Sequence, residues 1–560
     1  MAWRWTSLVG LGLAAYVSRR RRLLGNLDYW KRESARLQFR QLRSILTTAS
    51  NTQFGSQHGF ERFAHLPDAE MLAAFRAAVP IADYEAFRAP IVRMREHAEP
   101  NVLWPGLVKN YAQTSGTTAG DKFMPVSDDM MKSNFKASLD IFAHASRFGV
   151  SPPSLTSGRL LFLGGSTELS TNAHGINTGD LSGIVAPLIR WPLSKVYSPG
   201  KTIALMSHWP SKIEAMAHAT LHQDIRMVSG MPSWTLTLAQ RVVQLAQQAN
   251  PDVRTLRDVW PNFTLFVHGG VKYTPFEPRI REVWSGSPAG DDIPFRLEVY
   301  PASEGFIAMQ DTPRNPGLRL LTDVGIFYEF IPLDAINDPA PPSFLPHEVE
   351  LGQRYVVVMT TCAGFYRYII GDVVEFDSRP ASPQGAAGEG PARLRIVGRH
   401  KHFINAFGEN IIVEHIENAV AAAASAAGLI VGEFTAAPVY PSPSQRAGLE
   451  LLIESHDLLG GPQRSITFAH AFDADLKRQN VDYTTKRTDN LGMAPPTVTV
   501  VPPGTFHQWM HSRGKLGGQH KCPRCANHRD ILDGARSFAG PHAVSLSSPP
   551  DTLLQPVPST

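Results

Sequence analysis

A run of small and hydroxylated residues that ends in a lysine could hold a phosphate group. The run is Ser115-Gly116-Thr117-Thr118-Ala119-Gly120-Asp121-Lys122. Small residues let the backbone approach an anion closely, the hydroxyls and amides donate hydrogen bonds to it, and the lysine neutralises its charge. The run is not a Walker A loop, because that pattern needs Ser or Thr after its lysine and Phe123 stands there. The sequence therefore predicts another kind of phosphate-binding loop, with a plain polar turn as the alternative.

Two later motifs combine aromatic, hydroxyl and carboxylate side chains. The first reads YPASEG at residues 300–305, at the end of a predicted strand, and the loop His268-Gly269-Gly270 precedes it in the chain. A strand end of this composition can stack a base, contact a phosphate and hold Mg²⁺, and ligands of α/β proteins favour that edge of the sheet. The second motif ends in Gly371-Asp372, where a carboxylate after a glycine turn can accept hydrogen bonds from both ribose hydroxyls.

The order of the three motifs is more specific than any one of them. With SGTTAGDK, YPASEG and YRYIIGD in this order, the chain resembles the acyl acid amido synthetase family first known as auxin-responsive Gretchen Hagen proteins. That family belongs to the adenylate-forming enzymes. The resemblance extends to residues 398–410 and 504–524, and so covers most of the chain. Pro301 and Ile369-Ile370 look like variation of a bacterial type.

The resemblance implies a role for each matching residue. The residues expected at the ATP phosphates are Ser115, Gly116, Thr117, Thr118, Lys122 and Ser303. Glu304 would bind Mg²⁺, and Glu304 and Lys122 would both act in catalysis.

The remaining expected roles concern the nucleoside and the movement of a second domain. Around the nucleoside, Gly269 and Gly270 would border the adenine and Tyr300 would stack on it. Asp372 would hold the ribose. Arg399 would sit at a hinge. Lys521 would be a mobile catalytic lysine that reaches the α-phosphate, with Lys515 as the second candidate.

These residues suit a ligase that uses ATP and Mg²⁺. A carboxylic acid is already ionised at neutral pH, so forming its acyl-adenylate needs charge neutralisation rather than a general base. An amino acid amine would then attack the adenylate, form an amide and expel AMP. An acyl-CoA ligase is the first alternative, since it shares the adenylate and differs in the acceptor. A protein that binds nucleotide without turnover is the second, and phosphoryl transfer, which would release ADP, is a further one.

The elements that must position these residues indicate an α/β fold. Strand-like runs at residues 159–164, 264–268, 296–300 and 355–359 alternate with helical patterns at 211–222 and 235–248. We expect a large N-terminal adenylate-forming domain of packed mixed sheets and helices at residues 26–397. A smaller mobile α+β domain is expected at 398–540. A disordered tail at 541–560 completes the predicted organisation.

Residues 1–25 form an apolar and basic segment. An apolar run at residues 8–17 precedes four arginines at 19–22, and it is about half the length that spans a bilayer. Two interpretations are equally favoured: peripheral contact with a membrane through residues 3–22, or an amphipathic helix packed on the protein itself. Three cysteines and the need for ATP favour a cytoplasmic protein, which could associate with the inner face of the membrane through this segment.

Composition also bears on the partners of the chain. A net charge of +4 over 560 residues, with basic residues mostly scattered, argues against a nucleic-acid binder. The expected partners are a small carboxylic acid and an amino acid, and we expect a monomer.

Three other patterns have simpler explanations. His520, Cys522, Cys525 and His528 have the spacing of a zinc site, but they overlap the segment of the expected mobile lysine. A pair of histidines at 218 and 222 lacks the glutamate of a metalloprotease motif and suits a surface or packing position. Cys362 has no base near it in sequence, so a buried small residue is expected rather than a nucleophile.

Overall fold

The computed structural model describes most of the chain in two compact units. Its gaps are residues 1–5, 115–121, 165–168, 186–192, 207–208, 271–272, 275, 316, 384, 386, 401–402, 405–410, 440–447, 456–461, 481–482, 485–486, 488–492, 514–521, 527 and 548–560. The first unit comprises Met1–Ile396 and Gly517–Gln519, and the second comprises Val397–Leu516 and His520–Thr560. The predicted α/β class, with a large first unit and a smaller second one, is confirmed.

The first unit contains many helices. They are α1 Ser7–Gly25, α2 Leu27–Ala49, α3 Gln53–Gln57, α4 Phe60–Phe63, α5 Asp68–Ala78, α6 Tyr84–Glu96, α7 Asp128–Arg147, α8 Pro152–Thr156, α9 Leu181–Val185, α10 Lys201–Ala204, α11 Trp209–Thr220, α12 Pro232–Ala249, α13 Leu256–Val259 and α14 Glu277–Ser285. Side-chain caps define where several of them begin. Asn26 accepts the N–H of Tyr29 at the start of α2, and Ser127 accepts that of Met130 at the start of α7.

An eleven-stranded sheet forms the centre of the described part of this unit. Its strands are β3 Arg159–Phe162, β6 Tyr197–Ser198, β7 Ile225–Ser229, β8 Leu265–Gly269, β9 Phe295–Ala302, β10 Gly305–Gln310, β11 Leu318–Leu320, β12 Ile326–Pro332, β13 Arg354–Thr361, β14 Tyr368–Ser378 and β15 Arg393–Arg399. Their order is β12-β13-β14-β15-β11-β10-β9-β8-β7-β3-β6. Strands β6, β3, β7, β8 and β9 run parallel, whereas the ladders β9–β10, β10–β11, β12–β13 and β13–β14 are antiparallel.

A smaller sheet contains both ends of the predicted phosphate loop. Its strands are β1 Asn110–Thr114, β2 Lys122–Pro125, β4 Ser170–Thr171 and β5 Asn177–Gly179, in the order β2-β1-β5-β4. Thr114 pairs with Lys122, so β1 and β2 form an antiparallel hairpin around residues 115–121. In the order of the described strands, β2 lies at the edge of this sheet.

Helix α1 packs on the protein itself. Val17 and Leu24 are buried, and a Cβ on Gly10 would lie only 2.3 Å from the hydroxyl of Thr156 in α8. Arg20 forms ion pairs with Asp140 of α7 and with Asp323, both at 2.6 Å. Within the described residues, no helix is both long and apolar enough to cross a membrane. The structure thus contains the packed helix of the second interpretation, and contact of its outer face with a membrane stays a prediction.

The second unit is an α+β module. It contains β16 Phe403–Ile404, β17 Ile411–Ile412, α15 Val413–Ala427, β18 Phe434–Val439, β19 Gly448–Glu454, α16 Pro462–Gln479, β20 Thr497–Val501, α17 Thr505–Ser512, α18 Asp530–Ala539 and β21 Val544–Ser547. The main sheet has the order β18-β19-β20-β21. The predicted disorder of residues 541–560 is wrong for its first part, because β21 pairs with β20 through backbone hydrogen bonds, which need no apolar periodicity in the sequence.

Candidate functional site

Lys122 lies at the first position of β2. Its side chain is half-buried, and its ammonium nitrogen is 5.6 Å from the ring centroid of Tyr84 in α6. A cation at this distance from an aromatic face is attracted by the ring quadrupole. The first residue of β2 therefore places a positive charge against α6. The other predicted phosphate residues, Ser115, Gly116, Thr117 and Thr118, lie outside the described residues.

Tyr300 and Asp372 meet on the large sheet. Both side chains are 5% exposed, and the Tyr300 hydroxyl donates a short hydrogen bond to Oδ2 of Asp372. A bulge places the aspartate, because three residues of β14, from Ile370 to Asp372, oppose the single residue Val357 of β13. Gly371 within it has a φ of 95°, which favours glycine. Two residues predicted to hold the nucleoside are thus direct neighbours.

Glu304 lies in the turn between β9 and β10, two positions after the last residue of β9. It is 9% exposed, Ser303 beside it is 4% exposed, and the Tyr368 hydroxyl donates to Glu304 Oε1 at 3.2 Å. Gly305, which follows, has a φ of 147°, and a Cβ there would lie 2.5 Å from Ile326 Cδ1. The turn is therefore closely packed, and it holds the carboxylate in one place.

Gly269 and Gly270 stand at the carboxyl end of β8. A Cβ on Gly269 would lie 2.2 Å from the carbonyl oxygen of Val299 in β9, so close strand packing alone requires glycine there. Gly270 has a φ of 83° and turns the chain out of the sheet. His268 before them is buried, and burial lowers the pKa of its imidazole to about 3. The His268 imidazole is therefore uncharged at neutral pH.

The structure brings part of the predicted site together. Two side-chain hydrogen bonds, Tyr300 to Asp372 and Tyr368 to Glu304, link the β9–β10 turn to β14, so that Tyr300, Ser303, Glu304 and Asp372 belong to one region of the first unit. Arg399 is the exposed last residue of β15, and the end of that strand, from Val397 on, belongs to the second unit. Lys521 and its alternative Lys515 lie outside the described residues. The role of each residue remains a prediction.

The residues present fit ATP and a magnesium ion. Mg²⁺ is commonly held by one or two carboxylates together with substrate phosphates and water, so the buried carboxylate of Glu304 is a suitable ligand. The described residues contain no cluster of three or more His, Cys, Asp and Glu side chains that could hold a metal by themselves. A single buried carboxylate outside any such cluster suits a metal that arrives with the nucleotide.

The alternative sites gain no support. Cys525 is fully buried in an apolar core and Cys522 packs against another apolar cluster, whereas His520 lies outside the described residues. His218 is exposed and contacts Glu214 at 3.1 Å, as expected for a surface histidine. Burial raises the pKa of Cys362 to about 12, so its thiol is protonated and a poor nucleophile, as the sequence indicated.

Two residues in this region had no role assigned from the sequence. Tyr368 belongs to the third motif, and its spacing of four from Asp372 on a strand was a signal that both could lie on one face. Tyr84 contacts Lys122 from a helix that no motif marked. Only the tertiary fold places it there.

Models of one protein family match most of the chain. The GH3 family N-terminal domain matches residues 23–198 and 178–289, the central domain residues 319–384, and the C-terminal domain residues 414–530. An indole-3-acetic acid-amido synthetase GH3.3 of Arabidopsis thaliana is 22% identical, over 89% of this chain and 90% of its own length. A jasmonoyl--L-amino acid synthetase JAR6 of Nicotiana attenuata is 24% identical, over 54% of this chain and 60% of its own length.

Solved structures share the fold. A GH3.15 acyl acid amido synthetase superposes with a TM-score of 0.72 at 16% identity, covering 93% of this chain and 95% of that one. A 2-hydroxyisobutyryl-CoA ligase in the postadenylation state gives 0.51 at 14% identity, covering 89% and 90%. The chain therefore shares the fold of these two enzymes. The two relatives named above are plant proteins, and the expectation of a bacterial type is not borne out.

Proposed function

Because the chain belongs to the GH3 family, we propose that it is an ATP-dependent ligase that joins a small carboxylic acid to an amino acid. The acid is first converted to its acyl-adenylate with release of pyrophosphate, and the acyl group then passes to the amine with release of AMP. The observation that carries this proposal is the pairing of Tyr300 with Asp372 next to the buried Glu304 turn. That arrangement suits a nucleoside whose phosphates extend toward Lys122.

In the first half-reaction the main obstacle is charge. A carboxylate must approach a triphosphate, and both are anions, so the attack needs cations at the phosphates. Lys122 provides one, and Glu304 would hold Mg²⁺. When bound, the metal would neutralise phosphate oxygens and favour departure of pyrophosphate. Asp372 would accept hydrogen bonds from the ribose hydroxyls, while Tyr300 would fix the orientation of that carboxylate and border the adenine.

The second half-reaction needs an uncharged amine near the adenylate.

We assign Lys521 of the second unit to the α-phosphate and Arg399 to the hinge, on the family resemblance of their motifs. Lys521→Ala should then lower the rate of adenylate formation while ATP binding is kept. Full activity of Lys521→Ala would move the role to Lys515, and the matched variant Lys515→Ala would show it.

The nature of the acceptor separates this proposal from its nearest alternative. The purified protein would be incubated with ATP, Mg²⁺, a panel of carboxylic acids, and either a mixture of amino acids or CoA. Mass spectrometry should detect acid–amino acid amides and AMP. Thioesters without amides would instead identify an acyl-CoA ligase, and ATP binding without acid-dependent turnover would contradict both enzymes.

We also propose a cytoplasmic monomer in which the outer face of α1 contacts anionic lipid. Leu8, Leu11 and Tyr16 are 57%, 44% and 70% exposed, and exposed arginines follow them on the same helix. Apolar and basic side chains on one helix face suit a lipid surface. The protein should sediment with vesicles containing phosphatidylserine, and Leu8→Asp with Leu11→Asp should abolish this. Equal sedimentation of the variant would refute the contact.

A further inference from the structure

The amino-terminal end of α6 lies against the start of β2. Tyr84, the first residue of α6, is 2% exposed. The N–H of Phe123 donates to the Tyr84 hydroxyl oxygen at 2.7 Å, and the hydroxyl donates to the Phe123 carbonyl oxygen at 3.4 Å. One side chain therefore contacts both backbone polar groups of the residue that follows Lys122.

These contacts satisfy a need of the sheet. Among the strands that the structure describes, β2 is an edge strand, so no described strand pairs with the backbone groups on its outer side. At Phe123, the Tyr84 hydroxyl provides the hydrogen-bond partner that a neighbouring strand would provide. A second residue of α6 covers the ring of Phe123, since Cζ of Arg95 lies 3.4 Å from its centroid. Helix α6 thus fixes β2 on its open side by both backbone and side-chain contacts.

The ring of Tyr84 also faces the lysine. The Lys122 ammonium is 5.6 Å from the ring centroid, within the range of a cation–π interaction. Arg88, one turn further along α6, lies 5.0 Å from the same centroid and is paired with Glu85 at 2.8 Å. The two ends of the phenol therefore act on consecutive residues, with the hydroxyl on Phe123 and the ring on Lys122.

The same segment is joined to the Glu304 region. Ala82, two residues before Tyr84, donates its N–H to the carbonyl of Arg367 at 3.1 Å and accepts the N–H of Ile369 at 2.9 Å. Between these two residues is Tyr368, whose hydroxyl donates to Glu304. A continuous path of contacts thus connects Lys122 to Glu304 through residues 82–84 and 367–369. A shift of Tyr84 would change the distance between the proposed phosphate lysine and the proposed metal ligand.

We propose that Tyr84 is a positioning residue for adenylation, which holds Lys122 at the phosphates and in a fixed relation to Glu304. This inference rests on the proposed function, because it assumes that Lys122 contacts ATP. Tyr84 itself touches no substrate in this proposal. Its hydroxyl orders the backbone after Lys122, and its ring directs the ammonium group.

The test compares two tyrosine-to-phenylalanine variants by acid-dependent ATP–pyrophosphate exchange. Tyr84→Phe removes the hydroxyl and keeps the ring. Tyr355→Phe is the matched control. Tyr355 is 1% exposed, and its hydroxyl also accepts a backbone N–H, that of Glu350 at 2.8 Å. Tyr355 belongs to β13 and is far from Lys122 in sequence. We expect Tyr84→Phe to lower kcat for exchange about tenfold, as for a lost buried hydrogen bond, with the KM for the acid unchanged. The control should keep wild-type kcat.

A double-mutant cycle with Lys122→Met shows whether Tyr84 acts through the lysine. If it does, adding Tyr84→Phe to Lys122→Met should cause little further loss. Losses that multiply in the double variant, or a kcat of Tyr84→Phe equal to that of Tyr355→Phe, would overturn the positioning role. Absence of acid-dependent exchange in the wild-type protein would overturn the proposed function instead, and the inference with it.

Discussion

Replacing Arg20 by methionine should destabilise the first unit strongly, although Arg20 belongs to the helix nearest the amino terminus. Its guanidinium group bonds both carboxylate oxygens of Asp140, at 2.7 and 2.6 Å, and both of Asp323, at 2.6 and 3.0 Å. The Asp140 side chain is 0% exposed. Methionine fills a similar volume, so the main consequence is a buried carboxylate without its counter-charge.

The magnitude follows from that geometry. Removing one partner of a buried ion pair costs about 3–5 kcal/mol, because the remaining charge stays desolvated. Lys136 still pairs with Asp323 at 2.9 Å, so the cost should arise mainly at Asp140. Burial already raises the pKa of Asp140 above 3.8, and loss of Arg20 should raise it further. The folded variant should then bind a proton at Asp140 more tightly than the unfolded chain does. The loss in free energy of unfolding relative to the wild type should therefore become smaller as the pH falls toward 4.

Urea denaturation of the full chain, followed by tryptophan fluorescence and circular dichroism, measures the loss. Arg21→Met is the matched control, since Arg21 is the exposed next residue of the same helix. We expect the midpoint of the first transition to fall for Arg20→Met and to stay near the wild-type value for Arg21→Met. If both variants lost less than about 1 kcal/mol, α1 would be a detachable segment and the reasoning would be refuted.

Three further predictions concern the proposed site and the second unit. Glu304→Gln should raise the Mg²⁺ concentration needed for half-maximal turnover about tenfold or more, and an unchanged Mg²⁺ titration would remove the metal from that residue. Tyr300→Phe should raise the KM for ATP about tenfold and leave the KM for the acid unchanged, because Asp372 loses a buried hydrogen-bond donor. Equal changes in the two KM values would argue against a nucleoside role. Burial raises the pKa of Glu454 from 4.5 to about 7, so the folded state binds its proton more tightly and the free energy of unfolding should fall as the pH rises between these values. Glu454→Gln should remove that slope and stabilise the chain by about 1–3 kcal/mol at pH 8, and denaturation curves of equal pH dependence would contradict it.

Local patterns were enough to predict much of the fold. The β-branched run at residues 355–359 became β13, and the helical pattern at 235–248 became α12. Both signals depend on residues close together in the chain, where propensity and periodicity act directly. The tail strand β21 was missed, because an edge strand needs only backbone partners and leaves little trace in its side chains.

Contacts between distant residues explain what the sequence did not reveal. The Arg20 pairs join residues 120 and 303 positions apart, and the Tyr84 contact joins residues 39 apart. No local periodicity encodes such pairings. In contrast, Glu304 and Asp372 belong to short motifs whose residue types already suggest a nucleotide, so the sequence alone indicates both carboxylates. The structure adds that Tyr300 and Tyr368 orient them.

The central claim, that the carboxylate of the acid attacks the α-phosphorus of ATP, can be tested by isotope transfer. The acid would be labelled with ¹⁸O in its carboxylate and incubated with ATP, Mg²⁺, an amino acid and the full chain. If an acyl-adenylate forms and is consumed by the amine, one labelled oxygen should appear in AMP and none in pyrophosphate. Label in inorganic phosphate together with ADP would show attack at the γ-phosphorus and would contradict the proposed reaction.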